Sequence, residues 1–568
     1  MRFFSKRRYS GGEINPDEIF LDSKNIPAFD THQFEGRIER PISKRAMLFT
    51  GLFFLVLIGT FVSRVFYLEI VNGEEYLLWS QRNHLRHSPV FSDRGVITDR
   101  NGELLAWNVV SSSTLDFAAR RYITEPGFAH LVGYVKYPSV DSSGFYYKEE
   151  TSGVDGVEKA YDELLRGTNG IRIIEVNARG GIESANIISP PVSGTNLSLS
   201  IDARVQKKLY ETIKATASEV GFSAGSGIIM DVSSGELLAV ASYPEYPAQV
   251  MTDGSDTKQI NRLLVDERKP FLNRAILGLY TPGSIMKPFV ALGALEEGII
   301  DPEKQILSTG SISIPNPFDE TKKSVFTDWK AHGYVDMRRA LAVSSNVYFY
   351  EIGGGFESQT GLGISRIEEY FRMFGFGKEI PGNELVAGKA GTIPNPQWKE
   401  DNFDGEEWRV GDTYNTSIGQ YGVQVTPIQA VRAIAAIANG GELVTPTVVK
   451  RETEGVSDAI VLPVSPSNIE IIQEGMRHAV TEGTAQGLSI PSVEVAAKTG
   501  TAELGVTKQS VNSWIVGFFP YDAPRYAFAV TMEKGRRDNL IGGLYVMRQL
   551  LEWMSADVPE YLSAQSSL

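Results

Sequence analysis

The stretch Tyr280-Thr281-Pro282-Gly283-Ser284-Ile285-Met286-Lys287-Pro288-Phe289 decides how the rest of the chain is read. A turn pair, Pro282-Gly283, precedes a serine, and a lysine follows three residues on. The apolar run Val290-Ala291-Leu292-Gly293-Ala294-Leu295 comes next and ends at Glu296-Glu297-Gly298. This pattern predicts a helix that starts near Ser284 and stops at Gly298. Positions i and i+3 share a helix face, so Lys287 can hold its amine beside the Ser284 hydroxyl. A serine hydroxyl is a weak nucleophile until a neighbouring base takes its proton. Lysine can be that base when burial or a second cation lowers its pKa. Pro288 lacks the amide proton that would bond the Ser284 carbonyl, and its ring crowds that carbonyl, so the first turn should be distorted.

Ser-x-x-Lys alone is a weak signal. A second copy, Ser255-Asp256-Thr257-Lys258, lies in a polar segment with no apolar helix behind it and reads as coincidence. Two further triplets promote the first copy. One is Ser344-Ser345-Asn346, within Ala340-Leu341-Ala342-Val343-Ser344-Ser345-Asn346-Val347. The other is Lys498-Thr499-Gly500, followed by Thr501. Ser-x-x-Lys, Ser-x-Asn and Lys-Thr-Gly, in this order, form the signature set of serine enzymes that react with penicillin.

Composition narrows the alternatives. The chain has 568 residues, enough for several domains, with 42% hydrophobic and 22% charged residues, both globular values. A net charge of −14 argues against a nucleic-acid partner, which needs a basic face. There are no cysteines, which excludes disulfides, thiolate metal sites and cysteine nucleophiles. Residues 46–68 form an apolar run of the ~20 residues a bilayer span needs. Arg40, Lys44 and Arg45 precede it, while Glu69, Glu74 and Glu75 follow. The positive-inside rule then puts the N-terminus in the cytoplasm and the bulk of the chain outside. The run is long for a cleaved signal, and no small-residue cleavage site follows, so it reads as a single-pass anchor in a bacterial plasma membrane.

The remaining chain organises around these points. Residues 1–45 are polar, with basic clusters such as Lys6-Arg7-Arg8, and read as a disordered cytoplasmic tail. Residues 69–195 alternate short β-like runs with turns. Asn101-Gly102 suits a hairpin turn, and Gly156 to Gly167 has the spacing of one short amphipathic helix. From 196 to 556, Gly227–Val232 and Gly235–Ala241 read as a hairpin of central strands. A helical middle follows, then strands over Ser513–Pro520 and Tyr526–Met532 and a helix over 542–554. Strands at both ends around a helical middle predict an α+β domain whose antiparallel sheet is built by both ends and flanked by helices. Residues 557–568 read as a C-terminal tail.

Together these residues resemble the class B penicillin-binding proteins. The likeness covers nearly everything after residue 90. It includes Arg94-Gly95-Val96-Ile97-Thr98-Asp99-Arg100-Asn101-Gly102 and the Gly156, Glu158, Tyr161, Gly167 pattern of an elongated, β-rich pedestal. Asp328-Trp329-Lys330-Ala331-His332-Gly333 and Gly411–Gln420, running on to Thr426-Pro427, resemble the elongation type more than the division type. The resemblance implies a D,D-transpeptidase that cross-links peptidoglycan stem peptides ending in D-Ala-D-Ala, needs no cofactor, and is acylated by β-lactams. Ser284 would attack the penultimate D-alanine carbonyl, and Lys287 would take its proton. Ser344 would relay a proton to the leaving amine, and Asn346 would hold Lys287 and the substrate amide. Lys498 would face the substrate carboxylate, with Thr499 and Thr501 hydrogen-bonding it across Gly500. The backbone N–H groups of Ser284 and Thr501 would form the oxyanion hole. Lys287 would need a lowered pKa, with Lys498 as the cation that lowers it.

Two departures from the family pattern stand out. Position 421 is Tyr where Gly is usual after Gly-Gln. Some elongation-type members hold zinc near Ser-x-Asn through Asp, His and Cys. Here Asp328 and His332 are present, but Ser345 takes the Cys-like position, so no metal is expected. The competing activities are a D,D-carboxypeptidase or β-lactamase, which would need no pedestal, and a scaffold that activates a membrane-embedded glycan polymerase, which is compatible with transpeptidation.

Overall fold

The computed structural model describes residues 43–77, 85–110, 116–142, 146–176, 182–316, 319–451, 459–505, 509–539 and 541–563. Most of the expected N-terminal tail, Lys6-Arg7-Arg8 included, and the last five residues lie outside these ranges. The chain divides into two compact units, Met1–Arg86 with Ile174–Ser184, and His87–Ile173 with Ala185–Leu568.

In the first unit, helix α1 spans Lys44–Phe66. Ser43 caps it, its Oγ accepting the Ala46 N–H at 3.1 Å. Leu48, Phe49, Leu55, Phe61 and Val62 are all exposed. At 1.5 Å per residue the helix is about 35 Å long, enough to cross the ~30 Å hydrocarbon layer of a membrane.

The second unit begins with a small mixed sheet. Its strands are β1 (Ile97–Thr98), β2 (Leu104–Val109), β3 (Ala119–Tyr122) and β4 (Leu197–Ser198), in the order β4-β1-β2-β3. β1 and β2 form the expected hairpin around Asn101-Gly102. Gly102 takes φ +90°, and Asp99 Oδ1 accepts the N–H groups of Asn101 and Glu103. Residues 156–167 differ from the single helix expected. They form two short turns, α2 (Gly156–Ala160) and α3 (Asp162–Arg166), broken where Tyr161 leaves helical geometry at φ −117°, ψ 26°. Two carboxylates of these turns face inward. Glu158, fully buried, bridges Arg94 at 2.5 Å and Arg120 at 2.7 Å, and Asp162 takes a second Arg94 nitrogen at 2.7 Å.

The central sheet contains β5 (Ala224–Asp231), β6 (Leu237–Tyr243), β7 (Ala496–Leu504), β8 (Ser510–Phe519) and β9 (Tyr526–Arg536). Its order, β6-β5-β9-β8-β7, is antiparallel throughout, so strands from both ends of the segment after residue 196 do build it. The sequence reading made β5 and β6 both central; β6 is an edge strand. It is nearly as buried as β5 because helix α4 (Ala203–Val220) and the turn Arg274–Leu277 pack on it, so its apolar run reflects cover rather than position. Side chains alternate between two cores, as the two-residue strand period requires. Ile228, Met230, Trp514, Val516 and Phe518 face the helical middle: α5 (Lys287–Glu296), α6 (Met337–Val343), α7 (Asn346–Gly354) and α8 (Pro427–Ala438). Ile229, Ile515, Phe528 and Val530 face α4 and, at the far end of the chain, α10 (Gly543–Asp557), while α9 (Pro466–Thr481) packs beside β7.

The expected loose tail is ordered for longer than predicted. Pro559–Tyr561 forms a 3₁₀ turn that buries Tyr561 and Leu562. The Tyr561 hydroxyl donates to Asp202 Oδ2 at 2.7 Å, which ties the tail to the cap of α4.

Candidate active site

The serine turn is a 3₁₀ turn, Gly283–Met286, and the α-helix proper starts only at Lys287. Pro288 explains the distortion. It has no N–H for the Ser284 carbonyl, and that carbonyl instead accepts from Lys287 N–H, one residue earlier. Gly283 takes φ +60°, and a Cβ there would stand 3.1 Å from the Thr501 carbonyl oxygen. A Cβ at Gly500 would stand 2.8 Å from both the Pro282 carbonyl oxygen and Ile285 Cγ2. The two glycines therefore let the serine turn lie backbone to backbone against the edge strand β7. Trp514, on the next strand, donates its indole N–H to the Thr281 carbonyl at 3.2 Å and pins the turn from beneath.

The second motif is a corner between two helices. α6 ends in Ser344, which holds the left-handed region at φ +58°, ψ +41°, and α7 starts at Asn346. Ser345 caps α7, its Oγ accepting the Tyr348 N–H. The reversal aims three acceptors at Lys287. Its Nζ donates to Ser344 O at 2.7 Å, to Asn346 Oδ1 at 2.8 Å and to Ser344 Oγ at 3.3 Å. The third motif enters from β7. Lys498 Nζ donates to the same Ser344 Oγ at 2.8 Å and to Thr499 O at 3.0 Å. Lys287, Ser344, Asn346 and Lys498 thus converge from α5, the corner, α7 and β7, and the turn that carries Ser284 packs against β7, along which Thr499, Gly500 and Thr501 follow Lys498.

Both lysines are fully buried. Burial lowers the Lys287 pKa from its ordinary 10.5 to about 7, while the negative charge of Asp328 partly opposes the shift. Burial also drives the Lys498 pKa well down, and the Lys287 charge adds to it. This refines the sequence expectation: loss of water, rather than Lys498, is the main cause of the Lys287 shift. Among the hydrogen bonds of the described residues, those of Lys287 Nζ run to Ser344 and Asn346 and none to Ser284 Oγ. The expected contact between the Lys287 amine and the Ser284 hydroxyl is not among these bonds: Lys287 follows the serine turn as the first residue of α5, and the Ser-x-Asn corner holds its amine.

Asp328 has a role that the sequence reading did not give it. Its Oδ2 accepts from Ser345 Oγ at 2.9 Å, Val347 N–H at 3.0 Å and Ser308 Oγ at 3.3 Å. The carboxylate anchors the start of α7. Burial pushes its pKa up, but the Val347 and Asn346 N–H groups, the Lys287 charge and the Ser345 hydroxyl outweigh that and hold it below the ordinary value. His332 Nε2 lies 3.6 Å from Asp328 Oδ1 and makes no hydrogen bond. The donor set does not fit zinc, which takes thiolate, imidazole and carboxylate ligands. Ser308 and Ser345 supply hydroxyl protons to the Asp328 carboxylate where a metal would need further anionic ligands. Among the described residues no group of three His, Cys, Asp or Glu side chains could hold an ion. Sequence reasoning also missed Thr484, whose Oγ1 lies 2.7 Å from Thr499 Oγ1. It follows a helix end, in a spacing that carries no chemical signature.

The chain is similar to known proteins over most of its length. The penicillin binding protein transpeptidase domain matches residues 225–547, and the penicillin-binding protein dimerisation domain matches residues 113–199. The chain is 29% identical to the peptidoglycan D,D-transpeptidase MrdA of Acinetobacter baumannii, over 90% of this chain and 87% of that one. Its fold is similar to Pseudomonas aeruginosa PBP2 in complex with WCK 5153, with TM-score 0.69 and 28% identity over 85% of this chain and 100% of the other. It is also similar, at TM-score 0.68 and 26% identity, to a chain from a study of how a peptidoglycan synthase complex coordinates polymerization and crosslinking; the match covers 93% of this chain and 100% of that one.

Proposed function

The chain belongs to the penicillin-binding protein transpeptidase family, and from that premise we propose how its own residues perform peptidoglycan D,D-transpeptidation. The reaction joins two stem peptides: the D-Ala-D-Ala end of one is cleaved, and the amine of another takes the place of the terminal D-alanine. The observation that carries the residue assignment is the shared contact of Lys287 and Lys498 with Ser344 Oγ, beside the Ser284 turn.

Lys287, neutral in part at physiological pH, takes the Ser284 proton as the serine oxygen attacks the penultimate D-alanine carbonyl. The backbone N–H groups of Ser284 and Thr501 receive the developing oxyanion; one such donor is worth about 3–4 kcal/mol in the transition state. Ser344 passes a proton to the departing D-alanine amine, leaving an acyl-enzyme on Ser284. Attack by the acceptor amine then forms the cross-link and frees Ser284, the proton returning along the same residues. Lys498 and the hydroxyls of Thr499 and Thr501 hold the substrate carboxylate. Asn346 holds Lys287 and a substrate amide. A β-lactam presents the same carbonyl and carboxylate, so it acylates Ser284 in the same way.

The enzyme reading extends to its surroundings. Residues 46–68 anchor the chain in the plasma membrane, with the N-terminus cytoplasmic and residues 69–195 and 196–556 outside as pedestal and transpeptidase domains. The basic flank before α1 and the acidic residues after it support this orientation. Its partner in elongation is a membrane-embedded glycan polymerase, a reading supported by the likeness to a chain of a peptidoglycan synthase complex.

Mass spectrometry of the detergent-solubilised full chain after benzylpenicillin tests the assignment. One penicilloyl adduct is expected, on the peptide carrying Ser284, and none in Ser284→Ala. An adduct that survives in Ser284→Ala, or that maps to Ser255, overturns it.

A further inference from the structure

We propose that Thr484 is a positioning residue that aims the Thr499 hydroxyl at the carboxylate of the donor stem peptide; this rests on the role given to Thr499 above. The two hydroxyl oxygens are 2.7 Å apart, so one donates to the other. A hydroxyl has a single proton and two lone pairs. If Thr499 gives its proton to a carboxylate, its bond with Thr484 is one that it accepts. Thr484 is then the donor, and its proton orients the Thr499 lone pairs away from the incoming anion.

The turn that carries Thr484 is built to hold that position. The Thr484 N–H donates to Ala342 O at 3.0 Å, and a Cβ on Gly483 would fall 2.1 Å from the same oxygen. Ala342 lies in α6, two residues before Ser344. The Ala485 N–H donates to Ala479 O at 2.8 Å, near the end of α9, which packs against both α6 and β7. Residues 483–485 are therefore wedged between the helix that ends in the Ser-x-Asn corner and the strand that bears Lys-Thr-Gly. Thr484 fixes the Thr499 hydroxyl relative to Ser344 as well as to the substrate.

A role through the carboxylate can be separated from a structural one. The full chain in detergent is mixed with benzylpenicillin and, separately, with its carboxylate methyl ester. The pre-acylation binding constant and the acylation rate constant are measured for each. Thr484→Val preserves shape and removes the donor. It should weaken benzylpenicillin binding roughly 3- to 10-fold, the range of one neutral hydrogen bond. Acylation of the bound drug should change less than about twofold, and Thr484→Ser should restore binding. With the ester, wild type and Thr484→Val should agree. In a Thr499→Val background, Thr484→Val should have no further effect, which serves as a second readout where the single variant folds poorly. Equal losses on acid and ester, or unchanged binding of the acid, would overturn the proposal. Failure of wild type to acylate Ser284 would instead overturn the function on which it rests.

Discussion

Lys498 Nζ donates to Ser344 Oγ at 2.8 Å, and that oxygen is also 3.3 Å from Lys287 Nζ. One hydroxyl stands between two buried amines and can accept from either while its own proton moves on. The same serine sits at φ +58°, where a side chain costs roughly 1–2 kcal/mol relative to glycine. Relay and strain can be separated. Ser344→Ala and Ser344→Gly should both slow penicillin acylation by ~10²–10⁴, the usual worth of a proton-transfer group. Ser344→Gly should nevertheless melt at a higher temperature than Ser344→Ala, because only glycine relaxes the corner. The reverse order of melting temperatures would remove strain from the account.

The pH dependence follows from Lys287. With Lys287 proposed as the base, its pKa of about 7 means that acylation should rise with pH through that value, as the amine becomes neutral. Asp328 favours the ammonium, so Asp328→Asn should move this limb to lower pH. Ser345→Ala leaves the charge in place and should leave the limb where it is. The same shift acts on stability. The folded pKa lies below the ordinary 10.5, so this group's contribution to stability declines as pH falls from 10.5 towards 7. A pH–rate profile for both variants checks the first claim; movement of the Asp328→Asn limb to higher pH contradicts it.

In the pedestal, Glu158 pairs with two buried guanidinium groups, those of Arg94 and Arg120. Glu158→Gln would leave Arg94 with only Asp162 as a carboxylate partner and Arg120 with none among its described contacts. Breaking a buried pair in this way costs about 3–5 kcal/mol. Urea denaturation of the variant should show a loss of that order. Acylation of Ser284 below the unfolding range should be unchanged, since no catalytic group contacts Glu158. A stability within 1 kcal/mol of wild type, judged against the same ~3–5 kcal/mol scale, would mean that the pair is not worth its geometry.

Tyr421 holds φ +57°, the backbone region that suits the glycine expected here from the family resemblance. Its ring stacks on Phe403 at 6.1 Å and meets Trp408 at 5.7 Å and Trp398 at 5.9 Å edge-on. Aromatic pairs add about 0.5–1.5 kcal/mol each beyond area burial, so three of them outweigh one strained residue at about 1 kcal/mol. Tyr421→Gly should therefore destabilise, by roughly 2 kcal/mol on the same arithmetic. A thermal melt that rises in the variant would reverse the ranking.

Much of this was legible in the sequence for identifiable reasons. The three motifs are local strings whose spacing encodes a turn, a corner and a strand, and the structure brings them together. Strands at both chain ends were visible from apolar runs, but strand order was not, because burial by α4 makes the edge strand β6 read like a central one. Asp328 and Thr484 escaped because each acts across the fold, on residues 17 and 15 positions away, through bonds that no local pattern announces. The break at Tyr161 was hidden because its two turns share one apolar spacing. Its cause lies in tertiary contacts, with Glu158 and Asp162 both committed to Arg94.

Lys287 and Lys498 look alike in the sequence and in their burial, yet their proposed tasks differ. Lys287 must be neutral to accept a proton. Its three hydrogen bonds already place it at the Ser-x-Asn corner, and burial keeps its pKa near 7. Arginine stays protonated in proteins, so Lys287→Arg should lose acylation by ~10²–10⁴. Lys498 must be positive when the substrate arrives, although burial and the Lys287 charge depress its pKa in the free enzyme. An incoming carboxylate supplies the missing counter-charge and raises that pKa again. Lys498→Arg is cationic from the start, so it should keep a measurable rate, reduced because a planar guanidinium does not match an ammonium in shape. The second-order rate of fluorescent-penicillin acylation, measured for both variants against wild type, decides the matter. If Lys287→Arg acylates as fast as Lys498→Arg, the division of labour between the two lysines is wrong, and the base must be another group.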